Sequence, residues 1–158
     1  MSTTADTGAN LLLGTWQLVR WDIAYGDARK PSLPFGAQAT GMIMYTTDGQ
    51  MNACIARGER RPLSSESARS APEAERLAAF ESYFQYAGPY AIRTQGGRQQ
   101  VVHTVTHALN PNLVGTQQIR NMDFSDDRQQ LTLSASDTVP GTDIARHHRL
   151  VWSRRAPQ

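Results

Sequence analysis

The chain reads as an all-β domain of about eight short antiparallel strands with one inserted helix. Three observations lead there. Short runs rich in β-branched, aromatic and other β-compatible residues recur along most of the 158 residues. Turn-forming clusters separate these runs, above all Thr47-Asp48-Gly49 and Gly96-Gly97. Only one stretch, residues 72–87, repeats its apolar side chains at helical spacing. Many short strands joined by hairpins, with little helix, form either a closed up-and-down barrel or a two-sheet sandwich.

The elements follow in order. Residues 1–10 are small and polar and read as a flexible leader, with the folded domain at 11–155. They hold no basic segment followed by an apolar one, so no secretory signal is expected. From Trp16 to Tyr25, Val19, Trp21, Ile23 and Tyr25 share one parity and Trp16 and Leu18 the other. A strand with apolar residues on both faces is partly covered on both. Pro31 and Pro34 make a loop. An Asp-Gly turn between residues 41–46 and 50–57 is the strongest hairpin signal in the chain. The helix expected at 72–87 has Pro72 and two early glutamates at its start. Leu77, Phe80 and Phe84 lie on one face, and Gly88-Pro89 stands as its stop. Strands are then expected at 90–95, 99–109, 114–124, 130–136 and 145–154.

Composition narrows the function classes. Hydrophobic residues make up 39% and charged residues 19%, enough for one core in one domain. The net charge is only +2. The positive charge is almost all arginine, Lys30 being the sole lysine, and it is scattered rather than striped, which argues against nucleic-acid binding. One cysteine, Cys54, excludes an internal disulfide framework. No apolar run is long enough to span a membrane, and the expected location is the cytoplasm.

Several segments, in this order, resemble the lipocalin-like domain family of bacteria and fungi. They are Leu13-Gly14-Thr15-Trp16-Gln17-Leu18-Val19, then Gly41-Met42-Ile43-Met44-Tyr45-Thr46-Thr47-Asp48-Gly49-Gln50-Met51, then Phe80-Glu81-Ser82-Tyr83 and Tyr86-Ala87-Gly88-Pro89-Tyr90. Val102-His103, Asn110-Pro111-Asn112 with Gly115, and Leu150-Val151-Trp152 complete the set. The resemblance spans about 11–153. It implies an eight-stranded up-and-down barrel around an internal cavity, closed at one end by Trp16 with Arg154 stacked on it. The resemblance also implies a link to secondary metabolism, near whose genes family members often lie, and to related barrels that include cofactor-free cyclases and isomerases. His107, where a small residue is usual, and Leu113, where tryptophan is common, depart from the pattern.

Strand parity orders the candidate site residues. His148, Leu150 and Trp152 share a face that should point inward. Val101, His103, Val105 and His107 share another; parity leaves its direction open, and the resemblance favours inward. An inward His103 suits a general acid or base. Tyr45 and Asn52 flank the Asp-Gly turn, and Tyr45 suits hydrogen bonding to a developing enolate oxygen. Arg120 suits a ligand carboxylate if it faces inward, and the pattern allows either face. Met44 offers soft lining. Tyr83, Tyr86 and Tyr90 cluster at the expected helix end, and Tyr83 and Tyr90 are counted with His107, His148, Trp152, Met44 and Asn52 as ligand contacts.

No metal is expected. His103 and His107 lie roughly 13 Å apart along a strand at about 3.3 Å per residue, too far to share one ion. No dinucleotide or phosphate loop and no nucleophile elbow is present, so no cofactor is expected. Two functions remain. One is a cofactor-independent isomerase, cyclase or dehydratase moving protons on a small hydrophobic metabolite through His103, Tyr45 and Arg120. The other is a non-catalytic binding protein for such a molecule. A homodimer using Trp21 and Ile23 on an exposed sheet face is a further possibility.

Overall fold

A computed structural model describes residues 8–154. Of the expected leader, residues 1–7 lie outside the described residues, and from Gly8 the chain is helical. A short helix α1 (Gly8–Leu12) leads into nine strands: β1 Gly14–Tyr25, β2 Thr40–Tyr45, β3 Gln50–Ala56, β4 Tyr83–Gln95, β5 Arg98–Thr104, β6 His107–Ala108, β7 Gln117–Phe124, β8 Gln130–Thr138 and β9 Ala145–Ser153. Helix α2 (Glu73–Glu81) lies between β3 and β4. The sheet runs β3-β2-β1-β9-β8-β7-β5-β4, and β3 pairs back to β4. Eight antiparallel strands therefore close into the up-and-down barrel. Two-residue β6 continues the β5 edge against β4, with Ala108 opposite Tyr86. No described helix is long and apolar enough to cross a membrane.

Alternation fills the interior. Ile43 and Tyr45 of β2, Met51, Ala53 and Ile55 of β3, Val101 and His103 of β5, and Leu131 and Leu133 of β8 are buried at every second position. β1 breaks this rhythm once. Its pairing with β9 shifts register between Leu18 and Arg20, leaving Val19 exposed. One extra residue in a strand flips the parity beyond it. Trp16 and Leu18 before the bulge and Trp21 and Ile23 after it thus face the same interior. This corrects the expected dimer face: Ile23 is buried and Trp21 packs inside the barrel against Phe84.

One end is sealed as expected. Trp16 is fully buried and its indole N–H donates to the Leu12 carbonyl at 2.8 Å. The Arg154 guanidinium stacks 4.0 Å from the Trp16 ring centre and donates to the carbonyls of Leu13 and Leu11. This contact satisfies the exposed end of α1 and holds the barrel floor by cation–π attraction.

The helix differs from expectation. It ends at Glu81, and residues 83–89 pair with β3 instead. Phe84, Tyr86, Gly88, Tyr90 and Ile92 repeat every second residue. Burying that face on the inner wall outweighs the local helical spacing. What remains of α2 has no buried residue, with Leu77 and Phe80 exposed, so it does not plug the barrel. Gly88-Pro89 marks a corner rather than a helix stop. There β4 leaves β3 and takes up β5, first pairing Tyr90 with His103. A Cβ on Gly88 would lie 1.9 Å from the Thr104 carbonyl oxygen, so only glycine admits this approach. β5 is also shorter than expected. The chain turns at Val105–Thr106, which removes His107 from the inward face of His103.

Gly88→Ala should lower stability by at least about 1–3 kcal/mol, because the obstructing atom is backbone; a lower urea midpoint checks this. Trp16→Ala should cost about 3–5 kcal/mol by the same measurement.

Candidate functional site

The half of the barrel away from Trp16 is hollow, with a cavity of about 520 Å³. Its walls are mostly apolar: Trp21, Ile43, Ile55, Phe84, Leu133 and Trp152. Tyr86, Gln118, Arg120, Asp137, Arg146 and His148 supply most of the polar lining. Strand pleat explains most of the membership. Arg146, His148, Leu150 and Trp152 share one parity of β9, and Gln118 and Arg120 one parity of β7; Ile119 and Ser136, of the opposite parity on β7 and β8, also border the space.

Behind the wall, three side chains from β2, β4 and β5 form a buried chain. Tyr45 Oη lies 2.8 Å from His103 Nε2, and Tyr86 Oη lies 2.7 Å from His103 Nδ1. His103 is 1% exposed. Burial, aided by the Arg120 charge, pushes its pKa down to about 3, so the ring is neutral near pH 7. Burial pushes both tyrosines up, Tyr45 well above its ordinary value, so both keep their protons. His103 is not among the cavity-lining residues; Tyr86 stands between it and the space.

At another part of the wall, Arg146 donates two hydrogen bonds to Asp137, at 2.8 and 2.7 Å. His148 Nε2 lies 3.4 Å from the same carboxylate. Those arginine bonds hold Asp137 below its usual carboxylate range. Burial outweighs Asp137 and lowers the pKa of His148.

The expected site residues divide. Arg120, His148 and Trp152 line the cavity. His103 and Tyr45 lie one layer behind it. Met44 and Asn52 point outward, since their strand neighbours Tyr45, Met51 and Ala53 point in. Asn52 accepts from Gln85 on the outer face. Tyr83 lies beneath Arg60, 4.9 Å from ring centre to guanidinium. Tyr90 packs edge-on against Tyr45 and donates to the Thr46 carbonyl, towards the sealed end. His107 is exposed beside Thr106. Tyr86, Trp21, Asp137 and Arg146 are lining residues that the sequence reading did not place there. Following the two-residue alternation backward from Ile92 would have found Tyr86. The bulge hid Trp21, and Asp137 and Arg146 sit at the cavity mouth on strand ends read as loop or edge.

An eight-stranded up-and-down barrel, floored by a tryptophan under an arginine and hollow above, is an architecture suited to enclosing a small molecule. Residues 13–155 match the lipocalin-like domain, and the chain belongs to that family. No curated protein matches it.

The buried imidazole has a pH consequence. His103 has a folded pKa of about 3 against a usual 6.5. Between those values only the unfolded chain holds the proton. Stability should therefore be complete above about pH 7 and fall as pH drops, by up to about 1.4 kcal/mol per unit. His148 adds in the same direction, while Asp137 acts only below the ordinary carboxylate range. Urea titrations of wild type and His103→Gln at each pH from 7 to 4 should show a shallower slope in the variant.

Proposed function

We propose that the barrel binds a small, largely apolar molecule inside its cavity. The observation that carries this reading is the 520 Å³ space itself, walled by aromatic and aliphatic side chains with a few converging polar groups. That volume lies within the roughly 300–1,000 Å³ of sites that enclose small ligands. Burial of the ligand's apolar surface supplies affinity at about 25 cal/mol per Å² removed from water, less the cost of association. Native mass spectrometry of protein purified from its host should show a retained small molecule. Ala135→Trp, which grows a ring into the cavity, should abolish that adduct while the fold survives by circular dichroism. An adduct unaffected by the variant would sink the reading.

A second reading, a cofactor-independent isomerase, cyclase or dehydratase acting on a small hydrophobic metabolite, is favoured by the His148–Asp137 pair on the same cavity as Tyr86 and Arg120. A neutral imidazole oriented by a carboxylate can accept a proton. Tyr86 and Arg120 can stabilise the oxygen of the resulting enolate. In this scheme His103 is a positioning residue that holds the Tyr86 hydroxyl rather than the base. Solvent-deuterium incorporation into a bound 1,3-diketone, followed by NMR, should slow by roughly 10²-fold or more in His148→Gln. Equal rates in both proteins would end the enzymatic reading.

A further inference from the structure

Hydrogen bookkeeping around the cavity points to the charge of its occupant. A neutral His103 has one ring hydrogen for two tyrosine partners. Tyr45 is buried, and among the described residues its hydroxyl hydrogen-bonds only to His103. If Tyr45 accepted from Nε2–H, its own hydrogen would be stranded in the core. Tyr45 therefore donates to Nε2, and Nδ1–H donates to Tyr86. The Tyr86 hydroxyl hydrogen is then left over, on a residue that borders the cavity.

The other donors are also in surplus. Arg120 donates to the Ile119 carbonyl at 2.9 Å and the Gln118 side-chain oxygen at 3.2 Å, and both acceptors are neutral. Arg120 and Tyr86 line the same cavity, and the arginine's charge acts on Tyr86, Tyr45 and His103. Asp137, the carboxylate lining the cavity, is already claimed by Arg146 in two hydrogen bonds. Among the described residues the buried indole N–H groups of Trp21 and Trp152 find no acceptor, and both rings wall the same space. A lining with unspent donors, and with Arg120 paired to no carboxylate among the described residues, attracts acceptor oxygen and negative charge.

We propose that the occupant is an anion: an apolar body carrying a carboxylate or similarly acidic oxygen, seated against Arg120 and Tyr86. This rests on the cavity-binding reading and names the chemistry of its ligand. The apolar walls take the body by burial. The guanidinium takes the oxygens in charge-assisted hydrogen bonds, and the Tyr86 hydroxyl, held by His103, adds a second donor. An amine or other cationic ligand meets the like charge of Arg120, while the lining carboxylate, Asp137, is engaged by Arg146.

The test compares anthracene-2-carboxylate, its methyl ester and unsubstituted anthracene against the full-length protein, read by tryptophan fluorescence at neutral pH. The carboxylate should bind roughly 10- to 100-fold tighter than the ester, the range for hydrogen bonds to a charged group. Arg120→Gln should erase that preference, and Tyr86→Phe should reduce it. Equal affinity of acid and ester overturns the anion proposal and leaves cavity binding standing. Binding of none of the three overturns both. The acid–ester comparison on wild type decides the matter even if a variant fails to fold.

Discussion

The pairing of β4 with β3 is the constraint on which the rest depends. Until residues 83–89 lie along β3, the sheet is open, with two unpaired edges and no inside. Once they pair, every strand of the barrel has two neighbours and the backbone polar groups are satisfied around the ring. The corner at Gly88-Pro89 makes this possible by letting one strand serve two partners in succession. The same pairing carries Tyr86 to the wall of the cavity and into contact with His103. Closure, cavity and polar chain thus share one cause.

The interior is graded along its axis. At the floor, Trp16, Leu12 and Leu131 pack without space, and Arg154 seals them from below. Above them sits the tyrosine–histidine–tyrosine chain, fully withdrawn from water. Above that lies the hollow half. A buried neutral imidazole between two phenols is stable because each ring nitrogen finds a partner, and the two hydrogen bonds fix the orientation of the ring. The chemistry presented to the cavity is therefore not that of His103 itself. It is the hydroxyl that His103 holds in place, on the same cavity as a guanidinium whose acceptors are neutral.

Much of the fold was legible residue by residue. The Asp-Gly hairpin and the alternation on β5 and β9 depend on turn chemistry and strand period, which are local properties, while the Trp16–Arg154 floor was expected from the family resemblance. The site was legible only in part. His148, Trp152 and Arg120 lie on regular strands whose parity survives into the structure. Trp21 was lost because a bulge is a one-residue slip that no local pattern announces. Met44 was misplaced because it and Tyr45 are neighbours on one strand and cannot both face in. Residues 83–87 were read as helix because Phe80 and Phe84 satisfy a four-residue spacing, while Phe84, Tyr86 and Tyr90 equally satisfy a two-residue one.

By itself, the sequence determined the class: short amphipathic strands, punctuated by turns, that must close on an apolar interior. Local propensity and periodicity carry that information. Only the tertiary structure decided where the helix yields to strand, which parity of β1 turns inward past Val19, and which groups meet at the cavity. Those outcomes depend on burial and pairing between residues far apart in the chain, such as Tyr45, Tyr86 and His103. The free energy of such contacts exists only once the barrel is closed.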